Sequence, residues 1–251
     1  MKHLLPTALI GVVILPALTT RASIYSQPVG ADTFVSSGQP DGNFGGLGAM
    51  EIAAATAAQP RTEMTLFRFD TSALQAAFDS DYGAANWVVT SVSLTFFSNV
   101  STAGQQPGNP SFNRIAAGNF EFDLLSNNNW SESGITWNTL PGILPGSGNG
   151  NSLTPLGTFF WPANGGTSST WTLNLDANLV EAINDGSQIT ILGQPTAGST
   201  VGYLFNTRTF NPGYLNVTAE AVPEPSCGTL VISFLCLAGC AKFYRRNHIP
   251  E

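Results

Sequence analysis

A short Ser- and Gly-containing segment carries four side chains with the chemistry of a sugar site. Trp130 and Trp137 flank a turn-like Ser-Glu-Ser-Gly, with Glu132 and Asn138 beside them. An indole can stack on the C–H face of a pyranose, and carboxylate and amide groups can hydrogen-bond its hydroxyls. The segment therefore predicts an aromatic platform for a sugar ring, with Trp161 as a further candidate. The alternative is that these tryptophans pack in the core, with their N–H groups bonded inside the protein.

A second candidate site lies near the start of the domain. Asp32, Asp41 and Asn43 flank a Gly-rich loop whose carbonyl groups could join them around a hard cation. Calcium takes 6–8 oxygen ligands, so this set predicts a weak calcium site, although the spacing is not that of an EF-hand. The alternative is a solvated turn in which Asp, Asn and Gly satisfy the backbone.

Composition removes most catalytic chemistry from the central part of the chain. Residues 23–222 contain no Cys, His or Lys, and both histidines, His3 and His248, lie outside this range. A Ser-His-Asp triad, a Cys-His pair and a zinc site with imidazole ligands therefore cannot be built there. A glycosidase needs only two carboxyl groups at a suitable separation, and Glu121, Asp123 and Glu132 are candidates. Glu121 and Asp123, however, share one face of an alternating strand, which is typical of the solvent-exposed side of a sheet. We expect no enzyme.

The charge of the same range restricts its partners. Fourteen acidic side chains and four arginines give residues 23–222 a formal charge of −10. Nucleic acid is excluded as a partner, because binding phosphates needs a basic face. Anionic polysaccharide is disfavoured for the same reason, which leaves a neutral glycan or one bridged by calcium. We expect the four arginines to pair with carboxylates.

The N-terminal segment predicts export. Lys2 and His3 precede an apolar stretch over residues 4–18, and small residues follow, which is the pattern of a secretory signal peptide cleaved after Ala22. The alternative is a retained anchor, but an apolar run of about 15 residues is shorter than the ~20 that span a bilayer.

The C-terminal segment predicts a membrane helix in the same orientation. An apolar run over residues 227–241 follows Pro223-Glu224-Pro225 and precedes Arg245 and Arg246. The prolines favour a stiff extended stretch before the helix, and the basic cluster is expected to stay cytoplasmic. An ordinary single-span anchor is the alternative, and Cys227, Cys236 and Cys240 leave a lipidation or thiol role open.

This order of Pro-Glu-Pro, apolar helix and terminal arginine pair resembles the PEP-CTERM sorting signal of Gram-negative bacteria. The resemblance covers residues 222–251. It implies recognition by an exosortase, a membrane-embedded cysteine protease, which removes the tail. The protein would then be anchored in the cytoplasmic membrane for a time and pass to the cell surface or to a polysaccharide-rich extracellular matrix.

Between the two ends, the pattern is typical of an all-β protein. Short runs of β-branched and aromatic residues alternate with clusters of Gly, Pro, Asn and Ser. The predicted strands are residues 65–69, 88–97, 119–124, 170–175, 187–192 and 214–219. Two short helices are predicted over 72–78 and 177–184, the latter capped by Asp176, and loops over 104–110 and 142–155.

Several motifs in residues 31–219 resemble the DNRLRE-type domain, a jelly-roll module related to carbohydrate-binding modules of bacterial surface proteins. They are residues 31–35 with 42–45, 66–70 with 92–96, 130–141, and 205–217. The resemblance implies a jelly-roll β-sandwich over residues 23–221. We therefore expect an exported surface or matrix protein whose sandwich associates with extracellular polysaccharide. The alternative is a purely structural matrix protein without a sugar site.

Overall fold

Alternation of apolar and polar side chains favours β-strands in several segments of this chain. A computed structural model describes residues 21–99, 115–146, 148–163 and 168–222. Ala22–Glu220 forms one compact unit. Of a second unit, Met1–Arg21 with Ala221–Glu251, the structure describes residues 21, 221 and 222. The predicted signal peptide over residues 1–20, the sorting signal over 223–251 and the loop over 104–110 thus lie outside the described residues.

The elements follow one another along the chain with two helices set among the strands. The strands are β1 (Ala22–Pro28), β2 (Ala31–Ser36), β3 (Ala49–Ala53), β4 (Glu63–Asp70), β5 (Trp87–Phe97), β6 (Gly118–Leu125), β7 (Leu153–Trp161), β8 (Ser168–Thr172), β9 (Gln188–Pro195), β10 (Gly202–Asn206) and β11 (Tyr214–Ala221). The helices are α1 (Ser72–Tyr82), α2 (Ala177–Asn184) and a 3-10 turn at Leu140–Gly142. All six predicted strands overlap strands of the structure, although residues 173–175 of the prediction over 170–175 lie beyond β8. Both predicted helices are present, and α1 extends beyond residue 78 to Tyr82.

The strands form two antiparallel sheets. The smaller has the order β1-β11-β5-β8, and the larger has the order β10-β3-β4-β9-β6-β7 with β2 also paired to β4. The β1–β11 pairing joins the first described strand to the last, with Ala22 opposite Glu220. The described chain is therefore mostly β-sheet with two α-helices, as the all-β prediction expects.

The main core lies between the two sheets and is rich in phenylalanine. Phe67 on β4 stacks on Phe96 on β5 with ring centroids 4.4 Å apart, and Phe205 on β10 lies 5.6 Å from Phe67. Each of these side chains is completely buried. Burying an aromatic side chain contributes about 2–3 kcal/mol to the free energy of unfolding. Residues 23–222 contain no Cys, so this core must provide the stability that many exported domains obtain from disulfides.

A second core lies on the opposite face of the seven-stranded sheet. Val35, Leu66 and Leu192 point to that face and are buried by Trp130 and Ile135 from the connection between β6 and β7. This connection, residues 126–152, is named here the covering loop. The centre of the larger sheet is therefore buried on both faces, whereas the smaller sheet is covered by the core on one face.

Some strands of the structure were not predicted from the sequence. β7 begins at Leu153, inside the loop predicted over 142–155, and it contains Pro155 and Gly157. The pairing of β6 with β7 shifts register between Phe122 and Asp123, and Gly157 has a positive φ of 144°. Proline and glycine are accommodated at this bulge, where they would weaken a regular strand. β1, β3 and β10 were also not predicted, and β2 was expected only from the resemblance over residues 31–35.

Candidate functional site

Trp130, the first residue of the predicted sugar platform, is fixed by contacts of its ring and of its backbone. Trp130 is 7% exposed, and its indole N–H donates to the hydroxyl of Thr190 on β9 at 2.9 Å. The Arg68 guanidinium carbon lies 5.0 Å from its ring centroid. Arg68 Nη1 also donates to the carbonyl oxygens of Asn128 (3.1 Å) and Trp130 (2.8 Å). The structure therefore places Trp130 in the second core, with the Arg68 guanidinium over its ring.

The predicted carboxylate partner in this segment is also engaged. Glu132 Oε1 accepts hydrogen bonds from Arg208 Nε at 2.6 Å and from the backbone N–H of Asp32 at 2.7 Å. Its Oε2 accepts from Arg208 Nη2 at 2.6 Å. The hydrogen bond from Arg208 lowers the pKa of Glu132 below its ordinary value, against a smaller effect of burial. Glu132 is thus a fixed carboxylate that joins the covering loop to β2 and to the segment after β10.

Asp32 lies beside this pair and is more deeply buried. Its Oδ2 accepts the backbone N–H of Arg208 at 2.6 Å, and the residue is 1% exposed. Burial raises the pKa of Asp32 to about 6, the nearby charge of Glu132 raises it further, and the hydrogen bond from Arg208 opposes the shift. Asp32, Glu132 and Arg208 are named here the carboxylate cluster. The expectation that Arg208 pairs with a carboxylate is confirmed, whereas Arg68 binds carbonyl groups instead.

The remaining polar residues of the sugar and calcium predictions bind one another or backbone groups. Asn138 Nδ2 donates to Asp41 Oδ1 at 2.7 Å, and Asn43 Nδ2 donates to the carbonyl oxygens of Glu132 and Ile135. Within the described ranges, no group of three or more His, Cys, Asp or Glu residues could hold a metal ion. Asp41 and Asn43 attach the covering loop to the loop between β2 and β3, whereas Asp32 attaches it to β2 through its backbone N–H.

Glycine makes that attachment possible at one point. A Cβ on Gly45 would lie 2.5 Å from the carbonyl oxygen of Glu132, a distance that real Cβ atoms do not show. The two loops thus approach backbone to backbone, and any larger residue at this position would push them apart.

The other tryptophans of the prediction differ in exposure. Trp161 is completely buried and stacks on Tyr203 with ring centroids 4.2 Å apart. Trp137 is half-buried and packs on the edge of the second core. The structure therefore does not bring Trp161 together with Trp130 and Trp137 on one surface, because Trp161 faces the main core.

The two carboxyl groups on β6 share one amide. Gln194 Nε2 donates to Glu121 Oε1 at 3.0 Å and to Asp123 Oδ2 at 2.9 Å. Burial raises the pKa of both carboxyl groups, and the charge of Asp123 adds to the effect on Glu121. Asp123 is buried, so it does not lie on the wet side of the sheet, which corrects the sequence interpretation for that residue. The shared amide satisfies both carboxyl groups and holds them to β9.

A concave site lies where the covering loop meets α2. This cleft has a volume of about 250 Å³. Its lining combines apolar side chains with hydroxyl and amide groups. The lining residues are Leu124, Leu125, Ser126, Asn128, Ser152, Thr154, Asn178, Ala182, Gln188 and Ile189. None of these described residues carries a charge, although the domain as a whole is strongly acidic.

Local structure fixes the walls of the cleft. Asp176 caps α2 by accepting the backbone N–H of Asn178 at 2.9 Å, as the sequence predicts, and this leaves the Asn178 side chain exposed. Asn128 Nδ2 donates to the carbonyl of Gln188 at 2.9 Å. The Ser152 backbone N–H donates to Ser126 Oγ at 2.8 Å. Sequence analysis missed this cleft because its walls come from four separate segments, although the run Asn127-Asn128-Asn129 marked one of them as polar.

Comparison with protein-family models and with curated proteins finds no match to this chain. Among the described residues, neither α-helix has the length and apolar character that crossing a membrane requires. The proposals below therefore depend on the residues and geometry of this chain.

Proposed function

We propose that this protein is an exported, non-enzymatic cell-surface or matrix protein whose jelly-roll β-sandwich binds neutral extracellular polysaccharide in the cleft. The supporting observation is the lining of the cleft, in which neutral hydroxyl and amide groups occur together with apolar side chains. Hydroxyl and amide groups exchange hydrogen bonds with sugar hydroxyls, and apolar side chains can pack against the C–H face of a ring. With a formal charge of −10 on residues 23–222, a neutral ligand avoids the repulsion that an anionic one would meet.

A glycan array tests this function with the full-length protein. Asn178→Lys places a long charged side chain at the rim of the cleft, and Ala177→Lys is the matched control, because Ala177 is an exposed neighbour on α2 that does not line the cleft. We expect the wild type and Ala177→Lys to retain the same neutral glycans and Asn178→Lys to lose them. The array is run with and without calcium. Wild-type protein that binds no glycan in either condition would refute the proposal.

The export route is part of the proposal and has its own test. Its support is the order of Pro223-Glu224-Pro225, an apolar run, and Arg245 with Arg246. An exosortase-type protease would be the partner, and the protein would pass from the cytoplasmic membrane to the surface. Intact-mass analysis of protein from its native host should find a C-terminus near Pro225. A chain that reaches Glu251 would indicate an ordinary anchored protein.

A second function is a structural matrix protein without a sugar site. It is favoured by the hydrogen bonds that three residues of the predicted sugar platform make within the fold. These residues are Trp130, Glu132 and Asn138. The same array separates the two functions, provided that circular dichroism shows the protein to be folded. A folded protein that retains no glycan would support the structural function.

A further inference from the structure

The four-stranded sheet presents one face that the core does not cover. On β11, Leu215 and Val217 are completely buried, so the alternate residues Asn216 and Thr218 point the other way. The outward side chains include Ile24 and Ser26 on β1, Asn216 and Thr218 on β11, Ser93 and Thr95 on β5, and Thr170 and Thr172 on β8. This surface is named here the open face. Among the outward side chains of these four described strands, Glu220 alone carries a charge, and it lies near the end of β11.

A continuous row of hydrogen-bonded side chains crosses the open face. Ser26 Oγ donates to Asn216 Oδ1 at 2.7 Å, and Asn216 Nδ2 donates to Thr95 Oγ1 at 2.9 Å. Thr95 and Thr170 share a hydrogen bond between their hydroxyl oxygens at 2.8 Å. The row therefore runs perpendicular to the strands through all four of them. With strands ~4.8 Å apart, it spans about 14 Å, which is long enough for several sugar units.

The row keeps capacity for a ligand. A hydroxyl group offers one donor and two acceptor positions, so Ser26 and Thr170 at the ends of the row have acceptor positions that these bonds do not use. Phe97 and Tyr214 lie beside the row with ring centroids 6.4 Å apart, and both are partly exposed. On the other side, Thr172 and Ile24 present methyl groups. The open face thus combines hydroxyl groups with apolar edges, as the surface of a pyranose chain does.

We propose that the open face binds an extended neutral polysaccharide chain that lies flat across the four strands. This inference rests on the proposed function and adds a second, separate binding surface to it. Because Glu220, near the end of β11, is the one charged outward side chain of these described strands, the open face favours a neutral partner over an ionic one. A protein partner is disfavoured, because protein interfaces depend on large anchoring side chains in a desolvated centre, and the centre of the open face consists of Ser, Thr and Asn.

Sedimentation with insoluble neutral glucans tests the inference. The full-length protein is kept in a polyoxyethylene detergent, because a detergent with a sugar headgroup would compete, and it is mixed with cellulose, curdlan or starch granules. Thr170→Lys places a charged side chain on the row. Thr158→Lys is the matched control, since Thr158 is an exposed strand residue on the other sheet. We expect Thr170→Lys to weaken retention on at least one glucan by tenfold or more and Thr158→Lys to change it less than twofold.

The outcomes separate the two proposals. Retention of Thr170→Lys equal to that of Thr158→Lys would overturn the open-face inference and leave the cleft as the site. Asn178→Lys that loses array glycans but still sediments with the glucan would support two independent surfaces. Wild-type protein that sediments with none of the three glucans would also overturn the inference, while the array decides the cleft. A change of oligomeric state in Thr170→Lys, measured by light scattering, without a change in sedimentation would instead assign the face to self-association.

Discussion

The two outer faces of this sandwich carry different chemistry. The face of the seven-stranded sheet is covered by a loop that contains Trp130, Glu132 and Asn138, the residue types that draw attention in a sequence. The face of the four-stranded sheet carries Ser, Thr and Asn and remains open. Side chains suited to ligand binding can therefore be used for contacts within the fold. A surface of small polar side chains can remain accessible to a ligand. This contrast implies that substitutions on the two faces have unequal effects on stability.

The largest effect is expected where the covering loop is anchored. Trp130→Ala removes a buried indole, its hydrogen bond to Thr190 and the ring beneath Arg68, and should reduce the free energy of unfolding by about 3–5 kcal/mol. Trp137→Ala, at a half-buried position in the same loop, should cost about half as much. Urea denaturation measures both. Equal and small losses would mean that the covering loop contributes little to stability.

Asp32 should make stability depend on pH. Its pKa is raised from 3.8 to about 6 in the folded state, so the folded protein binds the proton more tightly than the unfolded chain does. The stability that this provides is complete below pH 4 and is lost as the pH rises through about 6. Asp32→Asn, which keeps an acceptor for Arg208, should therefore gain about 3 kcal/mol relative to the wild type between pH 4 and pH 7. A constant difference across that range would contradict the prediction.

Glu132 should have a smaller effect than Trp130. Glu132→Ala removes acceptors for Arg208 and for the Asp32 backbone N–H and should cost about 1–2 kcal/mol. Glu132→Gln keeps one acceptor oxygen and should cost less. Thermal unfolding of the two variants gives the comparison. If Glu132→Gln were the less stable of the two, the carboxylate cluster would not act through these hydrogen bonds.

The smallest effect is expected on the open face. Thr170→Val keeps the β-branched shape and removes the hydroxyl that bonds to Thr95, so the stability should change by less than about 0.5 kcal/mol. Urea denaturation of Thr170→Val and Trp130→Ala under the same conditions compares the losses in the free energy of unfolding on the two faces. A loss above 1 kcal/mol would show that the row of hydroxyl groups stabilises the sheet, and the contrast between the faces would weaken.

Much of the fold could be predicted from the sequence because β4, β5 and β11 alternate in character and lie between turn residues. β3 and β10 could not, because they are short and fully buried, and a short apolar run has no period to detect. β7 was obscured by Pro155 and Gly157.

The candidate site was less predictable than the fold. Glu132 and Arg208 are 76 residues apart in the chain, so only the folded structure brings them into contact. The sequence allowed two interpretations of Trp130, a sugar platform and a core residue, and composition alone does not distinguish them. The partner that settles its position, Thr190, is 60 residues away on β9. Contacts of this kind depend on strand order, which local patterns do not contain.

The pairing of β1 with β11 has a consequence for how this domain can be combined with others. Because Ala22 is opposite Glu220 on the neighbouring strand, the chain enters and leaves the sandwich at the same place, with Cα atoms about 5 Å apart. Such a domain can be inserted into a surface loop of a host protein without stretching that loop. It can also be circularly permuted, with a short linker closing the old ends.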